Sequence, residues 1–339
     1  MDSNKKDKQN ISRRKFLQTG GTFIAGGSIL GVGGTLLHKK MVPSENSQTP
    51  TGDVTQPTEK ANLSPYKLVS SFSVPDKVDG FELYNDKLIV GASNSIFIYD
   101  QRGTLLNSFA IGSDLRDIAV EDDQIHLLFP TRIEVYNEHG KQLRDWEACS
   151  EQSDYCSFTI ASGAIFVTDA ANKNICKYTS DGNFVKFIQS PNKFIIPSYT
   201  FGITHIDGTI YCSNSGRHQI ESYTLDGDYI GCFGRGGGAT GMFCGCCNPV
   251  HIEHTSTGEI ITSEKGNPRI SCYSTNGEFR SLLLNKETLC GGNTAYDVKV
   301  YGDKLFVAGK NLISTYQYDK LLAAKTACSD CGVDCPLRS

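Results

Sequence analysis

A pattern of short, alternating apolar segments recurs along residues 66–320. Each repeat contains an isoleucine, two further residues and a tyrosine, and a turn glycine follows in five of the six repeats. The six instances are residues 96–99, 133–136, 175–178, 220–223, 270–273 and 313–316. Successive tyrosines are 37 to 50 residues apart. This period is typical of a β-propeller in which every blade contains four strands.

Each repeat divides into four predicted strands. The Ile-x-x-Tyr segment is the third strand, and a β-rich second strand precedes it, as at residues 87–90 and 124–128. About seven residues earlier an apolar residue marks the inner strand; these residues are Phe81, Ile118, Phe158, Ile203, Ile252 and Val298. Segments such as 104–110 and 184–189 follow the turn and complete the blade as outer strands.

The sixth repeat has no outer strand of its own. Residues 68–72, which precede the first inner strand, form an unpaired strand that can take this place. Closing the ring in this way removes an exposed sheet edge. We therefore predict an all-β fold: a six-bladed β-propeller over residues 66–320, closed by an N-terminal strand and followed by a cysteine-rich tail, 321–339.

Residues 1–40 have the pattern of an export signal. Arg13 and Arg14 lie within S-R-R-K-F-L, ahead of an uncharged, glycine-rich segment at 19–37. This closely resembles the twin-arginine signal, which implies the twin-arginine translocation machinery as a partner and a periplasmic or other extracytoplasmic location. An ordinary signal peptide or a membrane anchor is the alternative. If the segment is retained, residues 19–37 tether the chain to the membrane.

Residues 41–65 separate this signal from the propeller. They are rich in Pro, Ser, Thr and Gln and contain too few apolar residues to bury a core. Such a composition predicts a flexible, disordered linker.

Several motifs resemble those of NHL-repeat propellers. They are Phe233-Gly234 with its glycine-rich loop, Gly241-x-Phe243, Asn248-Pro249 and Asn267-x-Arg269-Ile270. The resemblance implies a six-bladed propeller, but family members serve as binding scaffolds, lyases and hydrolases alike, so it leaves the activity open. An NHL-type lyase is expected to place several histidines around a channel metal, and only three of the seven histidines here lie near inner strands.

The charge distribution argues against nucleic acid as a partner. The formal net charge of the 339 residues is −4, and residues 1–40 hold eight Lys/Arg and two Asp/Glu, which leaves −10 for the remainder. A surplus of this sign repels polyanions, and no basic stripe with interleaved aromatic residues is present.

Two clusters among the 13 cysteines predict a metal centre. Cys244, Cys246 and Cys247 form a C-x-C-C loop that can present several thiolates to one metal. The tail residues Cys328, Cys331 and Cys335 have the spacing of the last three cysteines of a bacterial ferredoxin motif. We expect loop and tail to share an iron–sulfur cluster or a zinc or copper ion. The protein would then be a redox or metal-handling partner of another protein in the cell envelope.

Disulfides are the alternative, since exported proteins enter an oxidising compartment. Cys149 with Cys156, Cys328 with Cys335, or the adjacent Cys246 and Cys247 are the pairs considered, and a disulfide-stapled, non-catalytic protein-binding scaffold is the corresponding function. The cysteines within strands are interpreted as small core residues; these are Cys176, Cys212, Cys232 and Cys272.

A polar ring is predicted at the start of the inner strands. It includes Asp117, His251 and Asp297, which could hold a channel cation for a metal-dependent lyase or hydrolase, or could simply satisfy neighbouring backbone amides. Glu264 and Lys265 fall on the same face as the C-x-C-C loop and are candidate site residues as well. The alternative is that this pair is a solvated turn.

Overall fold

The computed structural model describes residues 64–289 and 294–323, and these form six four-stranded antiparallel sheets arranged as a propeller. In chain order the strands are β1 (Tyr66–Ser73), β2 (Val78–Tyr84), β3 (Lys87–Ala92), β4 (Ser95–Asp100), β5 (Leu105–Ala110), β6 (Asp117–Glu121), β7 (Gln124–Phe129), β8 (Arg132–Tyr136), β9 (Gln142–Glu147), β10 (Tyr155–Ala161), β11 (Ala164–Asp169), β12 (Asn174–Thr179), β13 (Phe184–Ile188), β14 (Ile203–Ile206), β15 (Thr209–Asn214), β16 (Gln219–Thr224), β17 (Tyr229–Phe233), β18 (His251–His254), β19 (Ile260–Glu264), β20 (Arg269–Tyr273), β21 (Phe279–Leu284), β22 (Asp297–Tyr301), β23 (Lys304–Gly309) and β24 (Leu312–Tyr318). Short 3₁₀ helices occupy Pro197–Tyr199 and Ser215–Arg217.

The blades follow the predicted order of strands. Blades 1 to 5 are β2–β5, β6–β9, β10–β13, β14–β17 and β18–β21, and blade 6 is β22–β24 with β1. The six apolar residues that marked the inner strands all lie on β2, β6, β10, β14, β18 and β22. β1 is antiparallel to β24, with Leu68 opposite Tyr316 and Phe72 opposite Ile313. The prediction of a ring closed by an N-terminal strand is therefore confirmed.

The repeated tyrosines form part of the core between blades. All six are buried, and each third strand also buries the isoleucine of the same segment. Residues three apart on a strand face opposite sides of the sheet, so the two side chains enter the apolar clusters on either side of the blade, as Ile96 and Tyr99 do. The turn glycine after the segment packs against the preceding blade. At Gly277, φ is +86° and a Cβ would collide with Phe233 of blade 4. A glycine is required at this turn for both reasons.

No helix within residues 64–289 and 294–323 is long and apolar enough to cross a membrane. Several predicted features lie outside the described residues: Arg13 and Arg14, the segment 19–37, nearly all of the linker, and Cys328, Cys331 and Cys335.

Candidate functional site

The C-x-C-C cysteines lie in the loop between β17 of blade 4 and β18 of blade 5. Gly245, in the middle of this loop, has φ +77°, which glycine adopts without steric cost. Its carbonyl accepts a 2.6 Å hydrogen bond from His218 Nε2, on the loop between β15 and β16. The thiol loop is therefore attached to blade 4 as well as to blade 5.

Asn248 fixes the thiol loop to the loop between β19 and β20. Its buried side-chain amide donates to the carbonyls of Cys244, at 2.6 Å, and Lys265, at 2.9 Å. Its side-chain oxygen accepts from the Lys265 amide at 2.9 Å. These three hydrogen bonds bring Lys265 next to the thiols.

Glu264 lies beneath the thiol loop rather than on its surface. The carboxylate is fully buried, receives the Arg269 guanidinium at 2.6 Å (Nε to Oε1) and 3.1 Å (Nη2 to Oε2), and accepts the Cys244 amide at 2.9 Å. Arg269 also donates to the carbonyl of Met242. This buried ion pair has a supporting role, because it holds the backbone of the loop from below.

Cys246 and Cys247 form a close thiol pair. Their sulfur atoms are 3.3 Å apart; Cys246 is exposed and Cys247 is buried. Although burial opposes it, a hydrogen bond and the positive charge from Lys265, together with Cys246, lower the pKa of Cys247. The hydrogen bond with Cys247 raises the pKa of Cys246. Of the two sulfurs, the thiolate form is therefore more favoured at the buried Cys247 than at the accessible Cys246.

The predicted metal centre combines this loop with tail cysteines that lie outside the described residues, so the shared site stays a prediction. Within the described ranges, no three His, Cys, Asp or Glu side chains are positioned to hold a metal ion. The Cys244 thiol lies beside the buried Glu264–Arg269 ion pair instead, where burial and the Glu264 carboxylate raise its pKa. Of the three thiols in the loop, the two in contact with each other are those of Cys246 and Cys247.

A second close pair of thiols lies in blade 3. Cys149 Sγ is 3.3 Å from Cys176 Sγ, while Cys156 Sγ donates to the Asp154 carbonyl at 3.6 Å. The partner of Cys149 is thus a residue of β12, and the pairing of Cys149 with Cys156 considered from sequence is not the one that the structure favours. Sequence position alone did not indicate this, because Cys176 resembled a core residue.

The interpretation of the strand cysteines as core residues is confirmed for three of the four. Cys176, Cys212 and Cys272 are buried. Cys232 is exposed, because β17 is an outer strand and this position faces solvent. The assignment of Cys232 to the core was wrong.

The inner strands line a central channel with a cavity of about 510 Å³. The predicted polar ring contributes to its wall; its members are Gly80, Asp117, Ser157, Gly202, His251 and Asp297. Asp117 accepts hydrogen bonds from Ser157 Oγ, at 2.6 Å, and from the backbone amides of Ile118 and Phe158. Burial raises the pKa of Asp117 to about 6, against the opposing attraction of Lys299.

The other two titratable members of this ring, His251 and Asp297, are neighbours. Asp297 Oδ1 accepts the Val298 amide and is 4.0 Å from His251 Nδ1. The alternative that these carboxylates satisfy backbone amides therefore describes Asp117 and Asp297 well.

A second polar ring, two residues further along each inner strand, was not identified from the sequence. Lys299 Nζ binds Glu82 Oε2 of blade 1 at 2.9 Å and Glu253 Oε2 of blade 5 at 2.7 Å. Burial raises the pKa of Glu82 to about 7, although Lys299 attracts its charged form. Although burial opposes it, Lys299 and a hydrogen bond from His254 lower the pKa of Glu253 to about 2.

Two histidines extend this second ring. His254 Nδ1 is 3.0 Å from Glu253 Oε1 and 2.9 Å from Thr204 Oγ1, and His205 Nδ1 is 2.8 Å from Thr159 Oγ1. The repeated step of two residues was the signal that would have located this ring, since alternate residues of a strand face the same side.

Comparison with known proteins identifies the fold. No family model and no curated protein matches the chain. Among solved structures it is similar to virginiamycin B lyase from Staphylococcus aureus, with 14% identity and a TM-score of 0.56 over 74% of this chain and 99% of that one. A streptogramin B lyase structure gives 16% identity and a TM-score of 0.54, covering 75% of this chain and 98% of the other. The shared feature is the propeller fold.

A third solved structure also matches at low sequence identity. A catalytically inactive histidine-to-alanine variant of the Staphylococcus aureus lyase, with quinupristin, is 14% identical, with a TM-score of 0.53 and coverage of 74% and 99%. At identities this low the likeness concerns the arrangement of blades and not the chemistry of the channel.

Proposed function

We propose that this chain is an exported, NHL-type propeller scaffold whose Cys246–Cys247 pair exchanges thiols and disulfides with a protein partner in the cell envelope. The observation that carries the proposal is the 3.3 Å approach of an exposed sulfur to a buried sulfur beside Lys265. Reactive cysteines occur in such partly exposed, electropositive surroundings, often next to a second cysteine that resolves the first adduct.

The exchange proceeds in two steps. As Cys246 Sγ attacks a sulfur of the partner's disulfide, its proton moves to the Cys247 thiolate. An S–S bond forms between Cys246 and the partner, and the partner's second sulfur leaves as a thiolate and is protonated by water. Cys247 then loses its proton and attacks Cys246 Sγ. This forms the Cys246–Cys247 disulfide and releases the partner as a dithiol, so that the partner is reduced and this chain is oxidised by two electrons.

The surrounding residues support both steps. Lys265 stabilises the Cys247 thiolate, and Asn248 holds Lys265 and the thiol loop in register. The Glu264–Arg269 pair fixes the base of the loop. Reacting groups that several hydrogen bonds hold in place lose little entropy when they react.

The test uses single serine variants of the full chain, reduced and treated with 2-hydroxyethyl disulfide. In the wild type we expect a transient adduct on Cys246 followed by a Cys246–Cys247 disulfide, identified by mass spectrometry of peptides. Cys247→Ser should retain the adduct on Cys246, and Cys246→Ser should form neither product at this loop. Cys272→Ser, which removes a buried thiol in blade 5, is the matched control and should behave as wild type. An adduct on Cys246 that persists equally in wild type and Cys247→Ser would contradict the proposal.

A metal centre is the second candidate function, favoured by the same pair of sulfurs. Cys246 and Cys247 would supply two thiolates, and the tail cysteines Cys328, Cys331 and Cys335 would complete the coordination of an iron–sulfur cluster or of a zinc or copper ion. Elemental analysis of the full chain purified without oxygen tests it. Stoichiometric metal that is lost in both Cys246→Ser and Cys331→Ser would support this candidate, and metal-free protein with intact folding would exclude it.

A further inference from the structure

The loops around the thiol pair carry charge of one sign. Four loops meet there: residues 189–202, which lead into blade 4; 215–218, within blade 4; the thiol loop, 234–250; and 265–268, within blade 5. Together they contain four Lys or Arg residues and no Asp or Glu. The cations are Lys193, Arg217, Arg235 and Lys265.

Hydrogen bonds and close side-chain contacts show that these loops are neighbours. Cys247 Sγ lies 4.0 Å from Ser198 Oγ of the first loop, and His218 of the second binds the Gly245 carbonyl. The amide of Phe243 donates to the carbonyl of Arg235 at 3.0 Å within the thiol loop. Asn248 joins the thiol loop to Lys265.

The nearest carboxylate does not offset this positive charge. Glu264 is fully buried and its charge is compensated by Arg269. Lys193, Arg217 and Arg235 are exposed, in contrast with the −10 formal charge of the chain after residue 40. A local field of the opposite sign from the rest of a protein surface directs the approach of a charged partner.

Two apolar side chains stand beside the thiols. Ile195 is 46% exposed and Tyr199 is 47% exposed, and Ser198 between them faces Cys247. We define the cationic surface as Lys193, Arg217, Arg235 and Lys265 with Ile195 and Tyr199. Exposed aromatic and aliphatic groups of this kind, surrounded by charge, are typical of a protein interface.

We propose that the cationic surface binds an acidic polypeptide segment that carries the cysteine or disulfide reacting at Cys246. This inference rests on the proposed function and adds the chemistry of the partner. The acidic residues of the segment would pair with Lys193, Arg217 and Arg235, and an apolar residue would pack on Ile195 and Tyr199. Of these cations, Lys265 also lowers the pKa of Cys247, so one surface favours both binding and the resolving step.

The experiment measures the rate of adduct formation at Cys246 in the reduced full chain. The probes are two disulfide-activated cysteine peptides of equal length, one rich in Glu and one rich in Lys. N-acetylcysteine amide, treated with each probe in a separate reaction, reports the intrinsic reactivity of that probe. Site-resolved mass spectrometry gives the rate at Cys246 for each peptide.

After normalisation to N-acetylcysteine amide, the acidic peptide is expected to react with Cys246 about tenfold faster than the basic peptide at low ionic strength. The preference should largely disappear at about 0.5 M salt, where charges beyond a few ångströms are screened. The triple variant Lys193→Gln, Arg217→Gln, Arg235→Gln should abolish it. Because Arg217 also donates to the carbonyls of Asn192 and Lys193, the pair Lys193→Glu, Arg235→Glu provides a variant that leaves those hydrogen bonds in place.

The matched control replaces three exposed cations elsewhere: Lys67→Gln, Arg102→Gln and Lys141→Gln should retain the preference. Equal rates for the two peptides, or a faster basic peptide, would overturn the inference while leaving thiol exchange intact. No adduct at Cys246 with either peptide would instead overturn the proposed function on which it rests. Stronger protection of Cys246 by vesicles of an anionic phospholipid than by an unreactive acidic peptide would also overturn it, in favour of a membrane surface.

Discussion

At the scale of single residues, Lys265 distinguishes the thiol pair from an ordinary pair of neighbouring cysteines. Its backbone is fixed by Asn248, and its ammonium group lowers the pKa of Cys247. The exposed Cys246, which shares the proton, is the sulfur that a partner meets first. Exposure therefore sets which sulfur attacks, and Lys265 favours the thiolate of the sulfur that resolves.

Lys265→Met tests this assignment. Loss of the ammonium raises the pKa of Cys247 and reduces its thiolate fraction, so resolution of the Cys246 adduct should slow by roughly threefold to tenfold near neutral pH. The measurement is the rate at which the second thiol is released from a dithiobis(nitrobenzoate) adduct. Lys141→Met, at an exposed turn of blade 2, is the control. An unchanged second phase would contradict the role of Lys265.

Glu264 is a second residue whose effect follows from burial. Glu264→Gln leaves the Arg269 charge without its carboxylate in a buried position, which typically costs about 3–5 kcal/mol. Chemical unfolding of the full chain measures the loss. Glu278→Gln removes the exposed partner of Arg280, and this change should cost less than about 1 kcal/mol. Similar free energies of unfolding for the two variants would show that the buried pair does not support the loop.

The environments of individual side chains were the features that the sequence predicted least well. Glu264 and Lys265 are adjacent in sequence and were treated as one polar pair, yet one is buried under Arg269 and the other lies beside the thiols. Their separation depends on side-chain direction at the end of β19, where successive residues face opposite sides.

At the scale of elements, the loop entering blade 3 is held against β12 by Cys149. Its amide donates to Tyr178 Oη at 3.0 Å, and its sulfur is 3.3 Å from Cys176 Sγ. Tyr155 and Tyr178, whose hydroxyls are 2.5 Å apart, lie against the same sulfur atoms. The two thiols are placed for direct oxidation.

We expect mild oxidation to link Cys149 and Cys176. Because the bond would close a loop of about 28 residues, chain entropy predicts a gain of roughly 3–4 kcal/mol in the free energy of unfolding. Peptide mapping identifies the bond, and unfolding of oxidised and reduced protein measures the gain. Cys149→Ser should lose the gain and Cys156→Ser should keep it. Recovery of Cys149 bonded to Cys156 would contradict this assignment.

The strands themselves could be predicted because each carries its own signal. The Ile-x-x-Tyr segments repeat at a propeller period, and the closing strand was found because blade 6 lacked an outer strand. Pairing between cysteines carries no such signal, since it depends on which loops approach each other in space. Cys149 and Cys176 are 27 residues apart and meet only when the blade has formed.

At the scale of the whole molecule, the six inner strands bring together charges from distant parts of the chain. Lys299 of blade 6 joins Glu82 of blade 1 and Glu253 of blade 5 across the closure of the ring. Because Glu82 and Glu253 share one ammonium group, the negative charge of one carboxylate is not compensated when both are ionised. Burial, together with the charge of Glu253, raises the pKa of Glu82 from an ordinary 4.5 to about 7.

This arrangement makes stability depend on pH. A carboxyl group with a raised folded-state pKa binds its proton more tightly in the native state, so stability falls as the pH rises from about 4.5 through 7. The contribution of Glu82 to that fall is roughly 1–3 kcal/mol. Urea unfolding at several pH values should show it in the wild type, and Glu82→Gln should remove most of it. Asp181→Asn, at an exposed turn, should keep the wild-type slope; equal slopes in all three proteins would contradict the account.

Glu253 acts in the opposite direction. Its pKa is lowered to about 2, so its contribution to stability is complete above the ordinary value of 4.5 and is lost as the pH falls towards 2. The propeller architecture was predictable from the repeats, whereas this channel network was not. It arises from Glu82, Glu253 and Lys299 at equivalent positions of three blades, and each looks like an ordinary strand residue within its own repeat.

The most direct test of thiol exchange is an equilibrium redox titration of the Cys246–Cys247 pair in the full chain. The protein is equilibrated with dithiol–disulfide buffers of graded potential, and differential alkylation followed by mass spectrometry gives the oxidised fraction of this pair alone. We expect a reversible two-electron transition, tenfold in the oxidised-to-reduced ratio per roughly 30 mV, with a midpoint above about −300 mV because the pair is accessible. A pair that stays fully reduced at every potential, or that cannot be reduced again once oxidised, would contradict a function in thiol exchange.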